Sequence, residues 1–318
     1  MRTRSIGSSG LTVSELSLGT WGLSGEGYGL VSDWDADQTI ERAVALGITL
    51  FETATPYGRG KMEERLGRAL EKHAATTYIA TRHGTDRRDG TTVRCFEPTY
   101  LKEAFARSQE RLRREVLDVY LLHNPTASTL QRDDVLGFCR DQRAAGKVRA
   151  WGVSAGDAEV AKLAIAAGAD LVSFAYNVFV AGDLARFEEK LREKNVGLLA
   201  HSVLSYGLLA GLWPPEKSFP DGDHRRDRWT KSELRGRMGH LSAVRSLVAG
   251  DVFTMRSASL RYVLANPLVS SAVLGPRSVA QLEQLVREGS PEEGRPYLDA
   301  DKLAKLPAKL RDQGFDIS

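Results

Sequence analysis

The residues with the most chemistry in them sit in one short stretch, Leu50-Phe51-Glu52-Thr53-Ala54-Thr55-Pro56-Tyr57-Gly58. An apolar run from Ile48 to Phe51 ends in a carboxylate, and five residues later a phenol lies between a proline and a glycine. The apolar run reads as a buried strand and the Pro-Tyr-Gly as a tight turn, with an amphipathic helix following from Lys61 through Leu70. A carboxylate and a phenol held together at the end of a strand are suited to proton transfer. A free tyrosine has a pKa of about 10, so Tyr57 works near neutrality only if its surroundings change that value.

Such a pair needs a rigid frame, and the rest of the chain supplies one by alternation. Residues 4–13 read as a hairpin with its turn at 7–10, and a strand over 15–18 ends at Gly19-Thr20-Trp21. Strands over 48–52, 78–81, 117–123, 148–153, 171–174, 196–201 and 268–273 then alternate with helices near 36–46, 62–72, 98–115, 133–145, 158–167, 184–194, 232–248, 254–264 and 279–288. In the 98–115 segment Leu101, Ala104, Phe105, Ser108 and Leu112 share one helix face. Residues 83–97 read as a basic loop carrying Arg87, Arg88 and Arg94, residues 212–231 as an insert, and 300–310 as an extra C-terminal helix.

Eight apolar strands, each followed by a helix, specify an α/β fold of the (β/α)8 TIM-barrel type, one domain spanning 1–318 with an N-terminal β-hairpin. Active sites of that fold lie where the strands end. The residues there are Glu52, Arg82, His123, Ser154, Asn177, His201 and the segment after Val273. The loop Gly22 to Gly29 imitates a dinucleotide fingerprint at Gly25-Glu26-Gly27, but no helix opens at its end, so a Rossmann reading is rejected.

Composition narrows the function further. With 42% apolar and 27% charged residues the chain is an ordinary globular protein with enough apolar mass for a large core. A net charge of +3, with the basic residues dispersed, gives no reason to invoke nucleic acid. Cys95 and Cys139 lie far apart, without metal-ligand spacing, which fits a reducing compartment and argues against a disulfide framework or a metal centre. No apolar run reaches the ~20 residues of a membrane span, and no signal-type stretch follows Met1, so a cytoplasmic location is expected.

The block around Glu52 resembles the signature of the aldo-keto reductases, in which a Phe-Asp-Thr-Ala run, a Tyr-Gly pair and a Glu-Leu-Gly helix follow one another. The resemblance covers nearly the whole chain, and it implies a tetrad of Asp, Tyr, Lys and His. Tyr57 matches the tyrosine, and His123, in Leu117-Asp118-Val119-Tyr120-Leu121-Leu122-His123-Asn124-Pro125, matches the histidine. Glu52 stands where Asp is usual, and Arg82, in Tyr78-Ile79-Ala80-Thr81-Arg82-His83-Gly84, stands where Lys is usual. Glu for Asp adds one methylene, roughly 1.5 Å of reach. Arg replaces a compact charge with a planar fork that pairs carboxylates bidentately. Both changes fall on the two halves of one ion pair, so a coordinated replacement is expected: a fork-to-carboxylate pair that still presents positive charge to Tyr57 and acidifies it.

The same resemblance implies an NADP(H) cleft. Gly275, Arg277 and Gln281 follow the last strand, where amides opening a helix bind anions and Arg277 would fork a 2′-phosphate. Residues 201–211, with His201, Ser202, Leu204 and Gly207, resemble the pyrophosphate loop, His201 replacing the aromatic that stacks on nicotinamide. Gly19, Thr20, Trp21, Ser154 and Asn177 complete the expected cofactor set. Four family side chains are missing, at Ala155, Leu212 and Ser173 and, on the adenine side, at Leu285, with the nicotinamide end more altered than the phosphate end. The implied function is NADPH-dependent interconversion of an aldehyde or ketone and its alcohol, with Tyr57 as proton donor. Two alternatives remain open at this point: elimination or isomerisation with Glu52 as base, and a non-catalytic NADP-binding barrel. The substrate is expected to be a small carbonyl or alcohol, held between Trp21, Trp34, Tyr57, residues 124–129, Trp213 and Trp229.

Overall fold

A computed structural model describes residues 1–88, 91–214 and 216–315. Eight parallel strands, Leu16–Gly19, Leu50–Glu52, Tyr78–His83, Leu117–His123, Val148–Ser154, Leu171–Ala175, Gly197–His201 and Val269–Leu274, close into a barrel in sequence order. They are parallel because a helical crossover separates each from the next. The strands therefore read as short continuous apolar runs, buried on both faces.

Side-chain alternation divides each strand between two cores. Inward-facing Leu50, Ala80, Val119, Leu121, Ala150, Leu171, Leu199 and Val273 fill the barrel. Ile6, Leu11 and Val13 of the hairpin Thr3–Ser5/Thr12–Ser14 plug its amino-terminal end. Outward-facing Phe51, Ile79, Tyr120 and Leu122 pack beneath the helices, against Leu66, Leu101 and Phe105 among others. Each such side chain contributes about 1.5–3 kcal/mol by its removal from water. The helix Pro98–Leu112 buries the face expected from its spacing, Leu101, Ala104, Phe105, Ser108 and Leu112, with Tyr100 added.

Three elements depart from expectation. Residues 83–97 are not a plain loop, because Thr85–Arg88 pairs antiparallel with Thr91–Arg94. The Asp-Gly pair between those strands in the sequence is a hairpin signal in its own right. The side chains of Arg87 and Arg88 lie outside the described residues. The helix expected over 184–194 breaks into Ala181–Ala185 and Glu188–Glu193, because Phe187 turns inward to pack on Phe174 at 4.9 Å. The segment 232–248 likewise breaks at His240, between Lys231–Gly239 and Leu241–Arg245. Among the described residues no helix is long and apolar enough to cross a membrane.

Candidate active site

Strand register brings the polar residues to one level at the carboxyl end of the barrel. Gly19 pairs with Glu52, Arg82 with Leu121, His123 with Ser154, and Ser154 with Ser173. Beyond Glu52 the chain stays pinned to the third strand. The Thr53 amide donates to the Ala80 carbonyl at 2.8 Å, and Thr55 donates to the Arg82 carbonyl from its amide at 3.2 Å and its hydroxyl at 2.8 Å. The turn Tyr57–Gly60 then directs the phenol back over the barrel mouth.

Arg82 is the hub of this site. Its Nη2 lies 2.8 Å from Glu52 Oε1 and donates to Ser173 Oγ at 3.2 Å, while Nη1 donates to Tyr57 Oη at 3.5 Å. Both charged side chains are buried. The guanidinium spreads its donors over three neighbours instead of forking Glu52 through two parallel bonds, which corrects the expected geometry. Glu52 Oε1 and Arg82 Nε consequently have no hydrogen-bond partner, so the pair is held by charge more than by alignment. Burial pushes the Glu52 carboxyl up, and Arg82 opposes that rise.

Tyr57 runs against the expectation of an acidified phenol. Burial pushes it well above the ordinary tyrosine range and the Glu52 charge adds to the rise, while Arg82 and its hydrogen bond act downward and are outweighed. Desolvating a phenolate in this pocket costs more than one guanidinium at 3.5 Å returns, since that guanidinium is already shared with a carboxylate. His123 lies edge-on to the Tyr57 ring, 6.4 Å between centroids, with Nδ1 buried and unpartnered. Burial, with Arg82 beside it, holds His123 down at about 3, and burial followed by Arg82 does the same to His201. Both imidazoles are neutral at physiological pH.

A cleft of about 460 Å³ runs from this floor along the ends of the last two strands. Glu52, Tyr57, Arg82, Gly19, Trp21, His201, Ser202, Leu204, Gly207, Gly275, Arg277 and Gln281 line it, which unites most of the expected residues. Thr20, His123, Ser154 and Asn177 are buried and lie outside that lining. Asn177 has both ends of its amide committed, donating to the Ser202 carbonyl at 2.9 Å and accepting from the Phe179 amide at 2.9 Å. It thereby anchors a loop in which Ser202, Ser205 and Tyr206 hold left-handed backbone, a conformation costing of order 1 kcal/mol or more each. The buried Ser154 accepts the Asn124 amide at its carbonyl, and Thr20 is enclosed where the helical turn Trp21–Ser24 begins.

The far end of the cleft opens on the helix Val279–Gly289, capped by Ser278, whose side chain accepts the Gln281 amide. Gln281 Oε1 accepts the Arg277 amide at 2.9 Å. Arg277 Nη2 crosses to the carbonyls of Gly29 and Leu30 at 3.4 and 3.1 Å, and its Nε is buried without a partner. These groups fit an elongated anionic ligand: a helix amino end, an arginine with unused donors and a channel leading to a phenol. Among the described residues no group of three or more His, Cys, Asp or Glu could hold a metal ion.

The insert covers the cleft through contacts that the sequence did not disclose. Tyr28 and Asp223 form an antiparallel bridge, and the His224 amide donates to the Gly27 carbonyl at 3.0 Å. His224 packs on Trp21, Tyr28 and Tyr206 at 4.6, 4.8 and 5.3 Å. Arg225, held by Asp223, lies 4.8 Å over the Tyr28 ring and joins Tyr28, Tyr206 and Trp213 in lining the cleft. Of the expected substrate walls Trp21, Tyr57 and Trp213 line the cleft, whereas Trp34 is 69% exposed, Trp229 packs against Tyr206 and Trp213, and residues 124–129 stay outside the lining.

Together the fold and the site define a (β/α)8 barrel whose buried ion pair and phenol face one long cleft at the carboxyl ends of the strands. The chain belongs to the aldo/keto reductase family, whose model matches residues 15–291. It is 28% identical to Aldo-keto reductase YhdN of Bacillus subtilis, over 90% of this chain and 88% of that protein. It is 26% identical to Aldo-keto reductase yakc [NADP(+)] of Schizosaccharomyces pombe, over 89% of this chain and 85% of that one. The glycerol dehydrogenase AKR11B4 of Gluconobacter oxydans shares the fold, with a TM-score of 0.85 at 24% identity over 99% and 96% of the two chains. Members of this family are oxidoreductases that bind nicotinamide cofactors.

Proposed function

We propose that this protein is an NADP(H)-dependent carbonyl reductase in which Tyr57 donates the proton. The observation that carries the reading is the Tyr57 hydroxyl 3.5 Å from Arg82 Nη1, on the floor of a cleft that continues to Arg277. The dinucleotide, when bound, supplies the hydride. Gly275, Arg277, Gln281 and the amides opening the helix Val279–Gly289 would hold its phosphates, and Arg277 favours NADP(H) over NAD(H).

At the reacting end the chain's own groups divide the work. Tyr57 stays protonated across the physiological range because burial raises it, so it meets a carbonyl oxygen as a donor. Arg82 stabilises the phenolate left behind, and Glu52 keeps Arg82 in place through the 2.8 Å contact. Neutral His201, in the cleft lining, orients a carbonyl, and neutral His123 packs edge-on against Tyr57, so neither competes for the proton. This polarity favours reduction, since oxidation starts from the ionised phenol that burial disfavours. Trp21, Tyr28, Tyr206 and Trp213 wall the cleft with aromatic surface, which suits an apolar or ring-bearing carbonyl.

The test is titration with NADPH by fluorescence, followed by NADPH consumption across a panel of aldehydes and ketones. Saturable binding and turnover of at least one carbonyl are expected. Binding without turnover of any of them refutes the reading. The elimination chemistry for which burial-raised Glu52 would serve as base predicts turnover that consumes no NADPH.

A further inference from the structure

Directly behind Arg82, on the outer wall of the barrel, lies a second polar cluster with no part in the cleft. Alternation along the third strand turns Arg82 inward and its neighbours Thr81 and His83 outward. Both outward side chains are fully buried, and both lead to the carboxyl group of Glu63. Thr81 Oγ1 donates to Glu63 Oε1 at 2.6 Å. Ser108 Oγ, from the helix Pro98–Leu112, donates to the same oxygen at 2.6 Å and lies 2.8 Å from His83 Nε2. A hydroxyl has one proton to give, so with that proton on Glu63 the histidine must donate to Ser108. His83 therefore carries its hydrogen on Nε2, which leaves Nδ1 as the buried, unpartnered atom observed. Arg111 Nη1 reaches Glu63 Oε2 at 3.3 Å and completes the cluster.

Glu63 occupies the first turn of the helix that begins immediately after the Tyr57 turn. Arg111 passes over that turn at Gly60, where an added Cβ would sit 2.3 Å from its guanidinium carbon. The cluster thus clamps three things together: the turn that aims Tyr57, the strand residues on either side of Arg82, and a third helix. Nothing else among these contacts joins the Tyr57 helix to both flanks of Arg82. Fully buried, with both oxygens engaged, Glu63 has little freedom to move unless the clamp opens.

We propose that Glu63 is a positioning residue: through Thr81, Ser108 and His83 it fixes the Arg82 guanidinium against the Tyr57 hydroxyl. The inference rests on the carbonyl-reductase reading for its kinetic arm only. A displacement of ~1 Å at a reacting centre costs on the order of 100-fold in rate, so loosening this clamp acts on the chemical step and not on the distant phosphate end of the cleft.

Two kinds of measurement test it. The variant Glu63→Leu removes every acceptor, Glu63→Gln keeps one for Thr81 and Ser108, and Thr81→Val deletes one donor at constant shape. For Glu63→Leu, kcat is expected to fall roughly 10- to 100-fold, with the NADPH dissociation constant unchanged. Glu63→Gln should recover most of that loss, and Thr81→Val should fall between the two, which also serves if the leucine variant does not fold. Independently of turnover, nitrogen-15 NMR of the arginine side chains should show a rigid Arg82 Nε–H signal in the wild type and in Glu63→Gln. That signal should be averaged by motion in Glu63→Leu or Thr81→Val. If kcat falls only together with NADPH affinity and thermal midpoint, or if the Arg82 signal is unaltered in a folded variant, Glu63 is structural and the proposal is overturned. A wild type inert toward every carbonyl refutes the functional reading alone, and the NMR arm still decides this one.

Discussion

The pairing of Glu52 with Arg82 invites a direct exchange for the shorter residues that the family usually carries, Glu52→Asp and Arg82→Lys. Shortening Glu52 by one methylene withdraws its carboxylate by about 1.5 Å. The present 2.8 Å approach to Arg82 Nη2 then opens to roughly 4.3 Å, beyond the ~4 Å of an ion-pair contact. With an effective dielectric constant of about 20, Coulomb attraction across that change weakens by about 2 kcal/mol. Arg82→Lys loses a different set of contacts, because one ammonium cannot hold Glu52, Ser173 and Tyr57 together as the two Nη atoms do. Each single variant should lose roughly 10- to 100-fold in kcat/KM for carbonyl reduction, read from NADPH consumption. The double variant should lose no more than the worse single one, a coupling of about 1.4 kcal/mol or more, because each replacement suits the other. Strictly multiplicative losses would show that the two residues act independently, and the account of a coordinated pair would fall.

Further predictions follow from the same geometry. With His123 and His201 held down at about 3, kcat for reduction should show no histidine-linked limb between roughly pH 5 and 8; a clear break there would contradict their neutral state. Buried His83 and His123, both held at about 3 in the fold, must gain protons on unfolding. Their contribution to stability is complete above the unfolded value near 6.5 and declines as pH falls toward 3, by about 2 kcal/mol apiece at pH 5, which urea titrations at pH 7 and pH 5 will read. Arg277→Leu should weaken NADPH binding roughly 10- to 100-fold by fluorescence titration while leaving NADH binding nearly unchanged; equal loss for both would remove Arg277 from the phosphate role. Gly67→Ala would place a Cβ 2.1 Å from the Arg111 carbonyl, so a loss of about 1–3 kcal/mol in urea unfolding is expected.

The barrel was legible in the sequence because its signal is repeated eight times: an apolar run too short for a helix, then an amphipathic segment. Glu52, Arg82 and His201 could be placed at the mouth on the same ground, since the end of a strand in this fold is also the edge of the site. What the chain withheld depends on contacts distant in sequence. Nothing local announces that Tyr28 will bridge to Asp223, or that Arg225 will come to lie over Tyr28; only the aromatic density of residues 21–28 and 206–229 pointed that way. Asn177 sits at the expected level and yet commits its amide to loop backbone, which its place just beyond a strand end does not disclose. A sequence can name the cation beside Tyr57 but cannot weigh it against burial, which pushes the phenol up. The 83–97 hairpin is a plainer omission, with an Asp-Gly pair between alternating residues in view.

Replacing Tyr57 with phenylalanine tests the central claim most directly, because it deletes the proton donor and alters little else in the cleft. The account predicts that Tyr57→Phe binds NADPH as tightly as the wild type and loses kcat for carbonyl reduction by about 100-fold or more. Retention of wild-type kcat in that variant would contradict it.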